Sequence, residues 1–151
     1  MDIYEYLKKD HRKVGDLLER TGAASSNDER MRLFKEIYND VLLHAETEEA
    51  TFYRALTEKG DKQIQEKEEH AEEEHAEIRK HLKECDSKEC GSKSWMLSFG
   101  ELKHAIEHHV EEEEGEIFKK ARNIISEKEA EKLAQEMDDL KQRRSKKNHA
   151  A

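Results

Sequence analysis

Residues 108–118 read HHVEEEEGEIF, two histidines and five glutamates in eleven positions. Imidazole nitrogen and carboxylate oxygen are the two donor types that hold transition-metal ions, and His109 and Glu113 stand four residues apart, where one helix face brings both side chains together. A solvated acidic face would explain such a stretch equally well in a chain that is 43% charged. A second segment, HAETEEATFY (44–53), tells against that explanation. His44, Glu48, Glu49, Phe52 and Tyr53 match His109, Glu113, Glu114, Ile117 and Phe118 in register, 65 residues apart. Unconstrained surface charge does not repeat together with its apolar anchors.

The elements that must position these residues are helices. The chain has 151 residues, no proline and only 6% aromatics. That length suits one domain with a single core, and the proline-free, Glu- and Lys-rich text argues against a β fold. We expect helices over about 2–20, 28–59, 61–84 and 95–121, and a shorter fifth from about Glu127 to Arg143. Ser26 with Glu29 and Ser126 with Glu129 are capping boxes that open the second and the fifth, and Gly60 ends the second. The domain then covers residues 1–143, and 144–151 form a basic, solvated tail. CDSKEC (85–90) reads as loop, and Cys85 and Cys90 as free thiols of a reducing cytoplasm.

Each long helix has an apolar stripe at spacings of three, four and seven: Ile3, Leu7, Val14, Leu18; Phe34, Ile37, Val41, Phe52; Ile64, Ala71, Ile78, Leu82; Phe99, Leu102, Ile106, Ile117. Four such helices with short connections make an all-α, up-and-down four-helix bundle. Polar groups interrupt every stripe. His11 falls between Leu7 and Val14, His44 and Glu48 between Val41 and Phe52, His75 between Ala71 and Ile78, and His109 and Glu113 between Ile106 and Ile117. Height agrees: His44 lies 16 residues before Gly60 and His75 15 after it, both roughly 23 Å from the turn at 1.5 Å per residue. The spans from His11 to His44 (33) and from His75 to His109 (34) return to the same level. Asp10-His11-x-x-Val14 parallels Glu74-His75-x-x-Ile78, so the bundle reads as a duplicated hairpin.

Two His-x-x-x-Glu pairs and two further histidines, all facing inward, make two adjacent ion sites. Burying two carboxylates costs several kcal/mol each unless a charge compensates. Mixed nitrogen and carboxylate ligation suits iron, with zinc and manganese as alternatives.

DHRKV (10–14), HAETEEATFY (44–53), EEHAEI (73–78) and HHVEEEEGEIF (108–118) resemble, in order, the motifs of the hemerythrin-like HHE cation-binding domains, over nearly the whole chain. The resemblance implies two non-heme iron ions, bridged by two carboxylates and an oxo or hydroxo group, with His11, His44, Glu48, His75, His109 and Glu113 as metal ligands. Oxygen-carrying hemerythrins use a fifth histidine one turn before the equivalent of His75. Ala71 stands there in this chain. His70 points about 140° away, whereas Glu72 has better direction and could substitute. The resulting set of four histidines and two glutamates is similar to di-iron proteins of nitric-oxide stress and iron-sulfur repair, which usually carry an additional cysteine-bearing N-terminal domain absent from this sequence.

Three functions follow. One is binding of iron and a small diatomic ligand, O2 or NO, for storage, delivery or sensing. Another is a di-iron enzyme acting on peroxide or NO, catalase-like or of the repair type. A third is iron sequestration or a zinc-stabilised helical module. A net charge of −9 disfavours nucleic-acid binding, and no apolar run suits a membrane span. A cytoplasmic monomer or weak homo-oligomer is expected. Glu49 and Glu114, one residue past their ligands, read as rim charges. Tyr38, Tyr53 and Phe118 read as core packing rather than redox participants, although a tyrosine near such iron could donate a hydrogen bond, Trp95 reads as a cap on the core, and His81, His104 and His108 as exposed.

Overall fold

A computed structural model of the chain describes residues 1–150, with side chains described through 146. All regular structure among the described residues is helical. The elements are α1 (Ile3–Ala23), α2 (Asn27–Glu48), a π-helical turn (Glu49–Tyr53) that runs into α3 (Arg54–Lys59), α4 (Lys62–Asp86), α5 (Lys93–Glu112), a second π-helical turn (Glu113–Ile117) that runs into α6 (Phe118–Ala121), and α7 (Glu127–Ala150). Each π turn joins its flanking helices into one rod. Four long rods and a closing helix result, the expected bundle with a fifth helix.

Local chemistry sets the ends. Ser26 Oγ accepts the Glu29 amide and Ser126 Oγ the Glu129 amide, both at 3.2 Å. Asp61 and Ser92 cap α4 and α5 in the same way. Gly60 closes α3, and a Cβ there would lie 2.6 Å from the Leu56 carbonyl oxygen, so the sharp turn into α4 excludes any side chain.

Three expectations are corrected. Cys85 belongs to α4 rather than to a loop, fully buried beneath Trp95, and its thiol is pushed up to about 12 by burial first and by Cys90 second. Both cysteines are free. The closing helix runs on to Ala150 instead of ending near Arg143. No glycine or proline follows Gly115 to stop it, and Arg144 is paired with Glu46. The expected basic tail, 144–151, therefore starts inside α7, and residue 151 and the side chains of 147–150 lie outside the described residues. The second and fourth rods are also not uniform α-helix, since a π turn starts directly after Glu48 in one and at Glu113 in the other.

α1 lies along α2 and α4 along α5, while α7 covers α1, α2 and the first π turn. The core is split in two. One cluster holds Ile3, Tyr4, Leu7, Phe52, Tyr53, Leu56, Ala71, Ile117 and Phe118, and α7 adds Ala130, Leu133 and Met137. The other holds Val14, Leu17, Leu18, Phe34, Ile37, Val41, Ile78, Leu82, Trp95, Phe99, Leu102 and Ile106. Trp95 stacks on Phe99 at 5.1 Å and meets Phe34 edge-on, inside the core rather than over its end. Ile64 is only partly buried, and the rest of the four expected stripes are buried. The polar interruptions lie in the belt between the two clusters.

Truncating Leu102, fully buried in the second cluster, to alanine is expected to cost about 2–5 kcal/mol in urea unfolding. Truncating its exposed neighbour Leu97 should stay within about 0.5 kcal/mol.

Candidate metal centre

The six residues that the repeat singles out converge. His11, His44, Glu48 and Glu113 offer donor atoms that all lie within 4.8 Å of one another, and so do Glu48, His75, His109 and Glu113. Glu48 and Glu113 belong to both sets and are fully buried. Helical spacing sets His44 Nε2 3.5 Å from Glu48 Oε1 and His109 Nε2 3.4 Å from Glu113 Oε2. The facing helices complete each set. His75 Nε2 comes to 3.2 Å from Glu48 Oε1, and His11 Nε2 to 3.2 Å from Glu113 Oε1.

The outer nitrogen of every ring is held by a carboxylate. His11 Nδ1 meets Glu114 at 2.7 Å, His44 Nδ1 meets Asp10 at 2.8 Å, His75 Nδ1 meets Glu49 at 2.7 Å and His109 Nδ1 meets Glu74 at 2.8 Å. A carboxylate only accepts, so each Nδ1 carries the hydrogen, and each ring, once its inner proton gives way to a metal ion, turns its Nε2 lone pair inward. Glu49 and Glu114 are therefore ring-orienting groups and not rim charges. The pattern crosses between halves: the acid before the first histidine holds the second histidine of its own half, and the acid after the glutamate holds the first histidine of the other half. The repeat contained the signal. Asp10 and Glu74 match, as do Glu49 and Glu114, but the twist that aims them across the bundle shows only in three dimensions.

What faces inward is therefore lone pairs and negative charge. His11 Nε2, His44 Nε2, both Glu48 oxygens and Glu113 Oε1 are buried without a hydrogen-bond partner, and His75 Nε2 sits 3.1 Å from His109 Nε2. That is the separation of neighbouring donors around one ion at bond lengths of about 2.0–2.1 Å. The protonation behaviour agrees. Burial opposes charge on His44, yet Glu48 and Asp10 override it and raise the ring to about 9. Burial likewise opposes charge on His109, and Glu113 and Glu74 raise it to about 10. Glu113, whose carboxyl burial would raise, is held well below its ordinary value by hydrogen bonds to His109 and His11. The donor set draws in positive charge, and it fits a pair of cations.

No residue on α4 fills the position of the fifth histidine. Ala71 is fully buried, His70 is exposed, and Glu72 is exposed with its carboxyl against that of Glu68. Tyr53 reaches the centre from α2's extension instead. Its hydroxyl donates to Glu113 Oε2 at 2.6 Å and lies 3.3 Å from His75 Nε2 and 3.2 Å from His109 Nε2. Burial first, then the charges of Glu113 and Glu48, hold the phenol well above its ordinary value, so it stays protonated. Tyr53 thus both packs in the core and makes the hydrogen bond that a tyrosine here could donate. The π turn is the cause, because a widened turn places residue i+5 where i+4 would fall, and both Phe52 and Tyr53 become buried. Tyr38 and Phe118 pack as expected against apolar neighbours. His104 and His108 are exposed, whereas His81 is half-buried.

Above the rings, toward the second apolar cluster, lies a cavity of 40 Å³ walled by Val14, Val41, Ala45, Ile78, Ile106 and Val110, with the four imidazoles as its floor and Asp10 at its edge. Tyr53 is on the other side of the donor set, in the first cluster. A groove of 430 Å³ between α1, α2 and α7 reaches the outer edge of His44. Lys141 of α7 pairs there with Asp10.

Residues 2–121 match the hemerythrin HHE cation binding domain, and the chain belongs to that family. A DNA nickase of Nostoc sp. (strain PCC 7120 / SAG 25.82 / UTEX 2576) is 25% identical over 139 residues, 90% of this chain and 38% of the nickase. The chain thus spans well under half the length of that relative. No solved structure matches. No helix among the described residues is long and apolar enough to cross a membrane.

The raised imidazoles give chelator-treated, metal-free protein a defined pH response. A group raised in the folded state adds stability that is fully present below its unfolded value, about 6.5 for histidine, and is lost as pH rises through the folded value. For His44 and His109 that loss spans pH 6.5 to about 9 and about 10. The urea midpoint of the metal-free form should therefore fall between pH 6.5 and 9.5. A flat profile would contradict the charge pattern described.

Proposed function

We propose that the chain is a non-heme di-iron protein that binds a small diatomic ligand, O2 or NO, for storage, delivery or sensing. In this reading His11, His44, Glu48 and Glu113 hold one ion, Glu48, His75, His109 and Glu113 hold the other, and the two glutamates are shared. The observation that carries it is the pair of donor sets with common glutamates opening onto an apolar-walled cavity of 40 Å³. Membership of a cation-binding family agrees with it. Iron, when bound, would supply the redox chemistry that a diatomic ligand requires.

The residues of the chain do the rest. The cavity is little larger than one water's share of liquid volume, about 30 Å³, so it admits a two-atom molecule and little beside. Its walls are aliphatic, and besides the imidazoles that would hold metal its one ionisable lining group is Asp10, which is committed to His44 and Lys141. The nearest hydroxyl, on Tyr53, is committed to Glu113 on the opposite side and steadies that shared carboxylate. Proton-consuming turnover of peroxide is served poorly by such a pocket, whereas binding and release are served well. The outer carboxylates Asp10, Glu49, Glu74 and Glu114 fix the four rings so that the donor set is organised before metal arrives. Two free cysteines accord with a reducing, cytoplasmic setting. Nickase activity is not carried over from the Nostoc relative, because a net charge of −9 gives little attraction for a phosphate backbone.

Metal analysis of freshly purified protein is expected to give two iron atoms per chain, with both lost from the His44→Ala/His109→Ala variant. Reduced, iron-loaded protein should gain a visible charge-transfer band with O2 or NO that reverses under vacuum. Ile78→Phe, which fills the cavity, should keep the iron and weaken ligand binding by about tenfold or more. Zinc alone at full occupancy, or oxygen evolution from added peroxide that is lost in the double variant, would replace this reading with the structural or the enzymatic one.

A further inference from the structure

The buried centre leaves two histidine and glutamate groupings unused among the described residues, and one of them is tightly drawn. His70 and Glu74 are four apart on α4, and His108 and Glu112 are four apart on the antiparallel α5. The two pairs meet at the surface. His70 Nε2 lies 3.6 Å from Glu74 Oε2 and 3.5 Å from Glu112 Oε2. His108 Nε2 lies 3.4 Å from Glu74 Oε2 and 3.2 Å from Glu112 Oε1. His70, Glu74 and Glu112 offer donor atoms that all lie within 4.8 Å of one another, a spacing that suits one cation, and His108 adjoins both carboxylates from α5. The two carboxylates also face each other across the helix pair, and among the described residues no lysine or arginine lies within 4 Å of either. By contrast, the other surface grouping, around His81, spreads to 3.8–4.0 Å.

We propose that His70, Glu74 and Glu112, with His108 beside the two carboxylates, form a separate, solvent-accessible site for one divalent transition cation of the kind that accepts nitrogen and oxygen together, such as Zn²⁺ or Fe²⁺. The site is wired to the interior through a single carboxylate. Glu74 Oε2 faces the surface pair of imidazoles, and Glu74 Oε1 holds Nδ1 of His109. A cation on the outer oxygen draws electron density from the inner one and loosens its hold on the ring. His70 and His108 are 58% and 56% exposed at the side chain, so a cation reaches them from solvent without any opening of the bundle. The surface site stands without the reading of the buried centre, and only the coupling through Glu74 depends on that reading.

Untagged, iron-loaded protein titrated with Zn²⁺ at pH 7 against a chromophoric chelator should take up one additional ion per chain. That ion should be lost in His70→Ala/His108→Ala and in Glu112→Gln, with iron content and thermal midpoint unchanged. Zn²⁺ uptake should also shift the visible absorption of the wild type and leave that of the two variants unmoved, which tests the coupling. Equal uptake by wild type and both variants, or no additional ion in the wild type, would overturn the surface site. Failure of the buried reading shows differently: His44→Ala/His109→Ala protein would bind as much metal as wild type, while the difference made by His70→Ala/His108→Ala persisted.

Discussion

The fold depends on one electrostatic demand. Two fully buried glutamates and four nearly buried imidazoles occupy the belt where a helical bundle ordinarily places leucine. Leaving an ionised carboxylate in such a place without a partner costs several kcal/mol, a large part of the net stability of a domain this size. The belt persists because the same groups that are expensive singly become a cation cage when assembled. Protons partly fill that role on their own, which is why His44 and His109 hold theirs well above the ordinary imidazole range.

Assembly at one height is a matter of counting along the rods. Hairpins of nearly equal span bring four histidines level, and helical spacing supplies a glutamate beneath two of them. The apolar core then divides into clusters above and below, each closed by its own aromatic group: Phe34, Trp95 and Phe99 at one end, and Tyr4, Phe52 and Phe118 at the other. Outside the rings, four carboxylates set the tautomers, and their own surroundings alternate. Asp10 and Glu49 are backed by Lys141 and Arg79, whereas Glu74 and Glu114 have no lysine or arginine within 4 Å among the described residues. Each donor set therefore contains one ring behind a neutralised acid and one behind a bare acid.

Much of this was legible in the sequence because it rests on periodicity. The stripes, their polar interruptions, the capping serines and the repeated frame all follow from the 3.6-residue turn, and they place the six central residues without coordinates. What was not legible lies where that period breaks or where contacts cross between rods. The π turns have no compositional mark, so sequence does not tell which tyrosine swings inward to donate to the centre. Glu49 and Glu114 sit 100° from their neighbours on an isolated helix and look solvated, but an adjacent rod puts an imidazole in front of each. The length of α7 was misjudged because a basic composition suggested a solvated end, while nothing in 127–150 breaks a helix.

Duplication alone would have produced a centre with two indistinguishable ends. The frames agree at histidine, glutamate and the following acid, then part company where Tyr53 is matched by Phe118. A single phenolic oxygen, set against His75, His109 and Glu113 and missing from the opposite end, lifts that degeneracy. Twin cations in mirror-image cradles would give an arriving molecule no reason to prefer left over right. Here one side of the donor set is backed by a phenol that the other side lacks, so the two halves are chemically unlike.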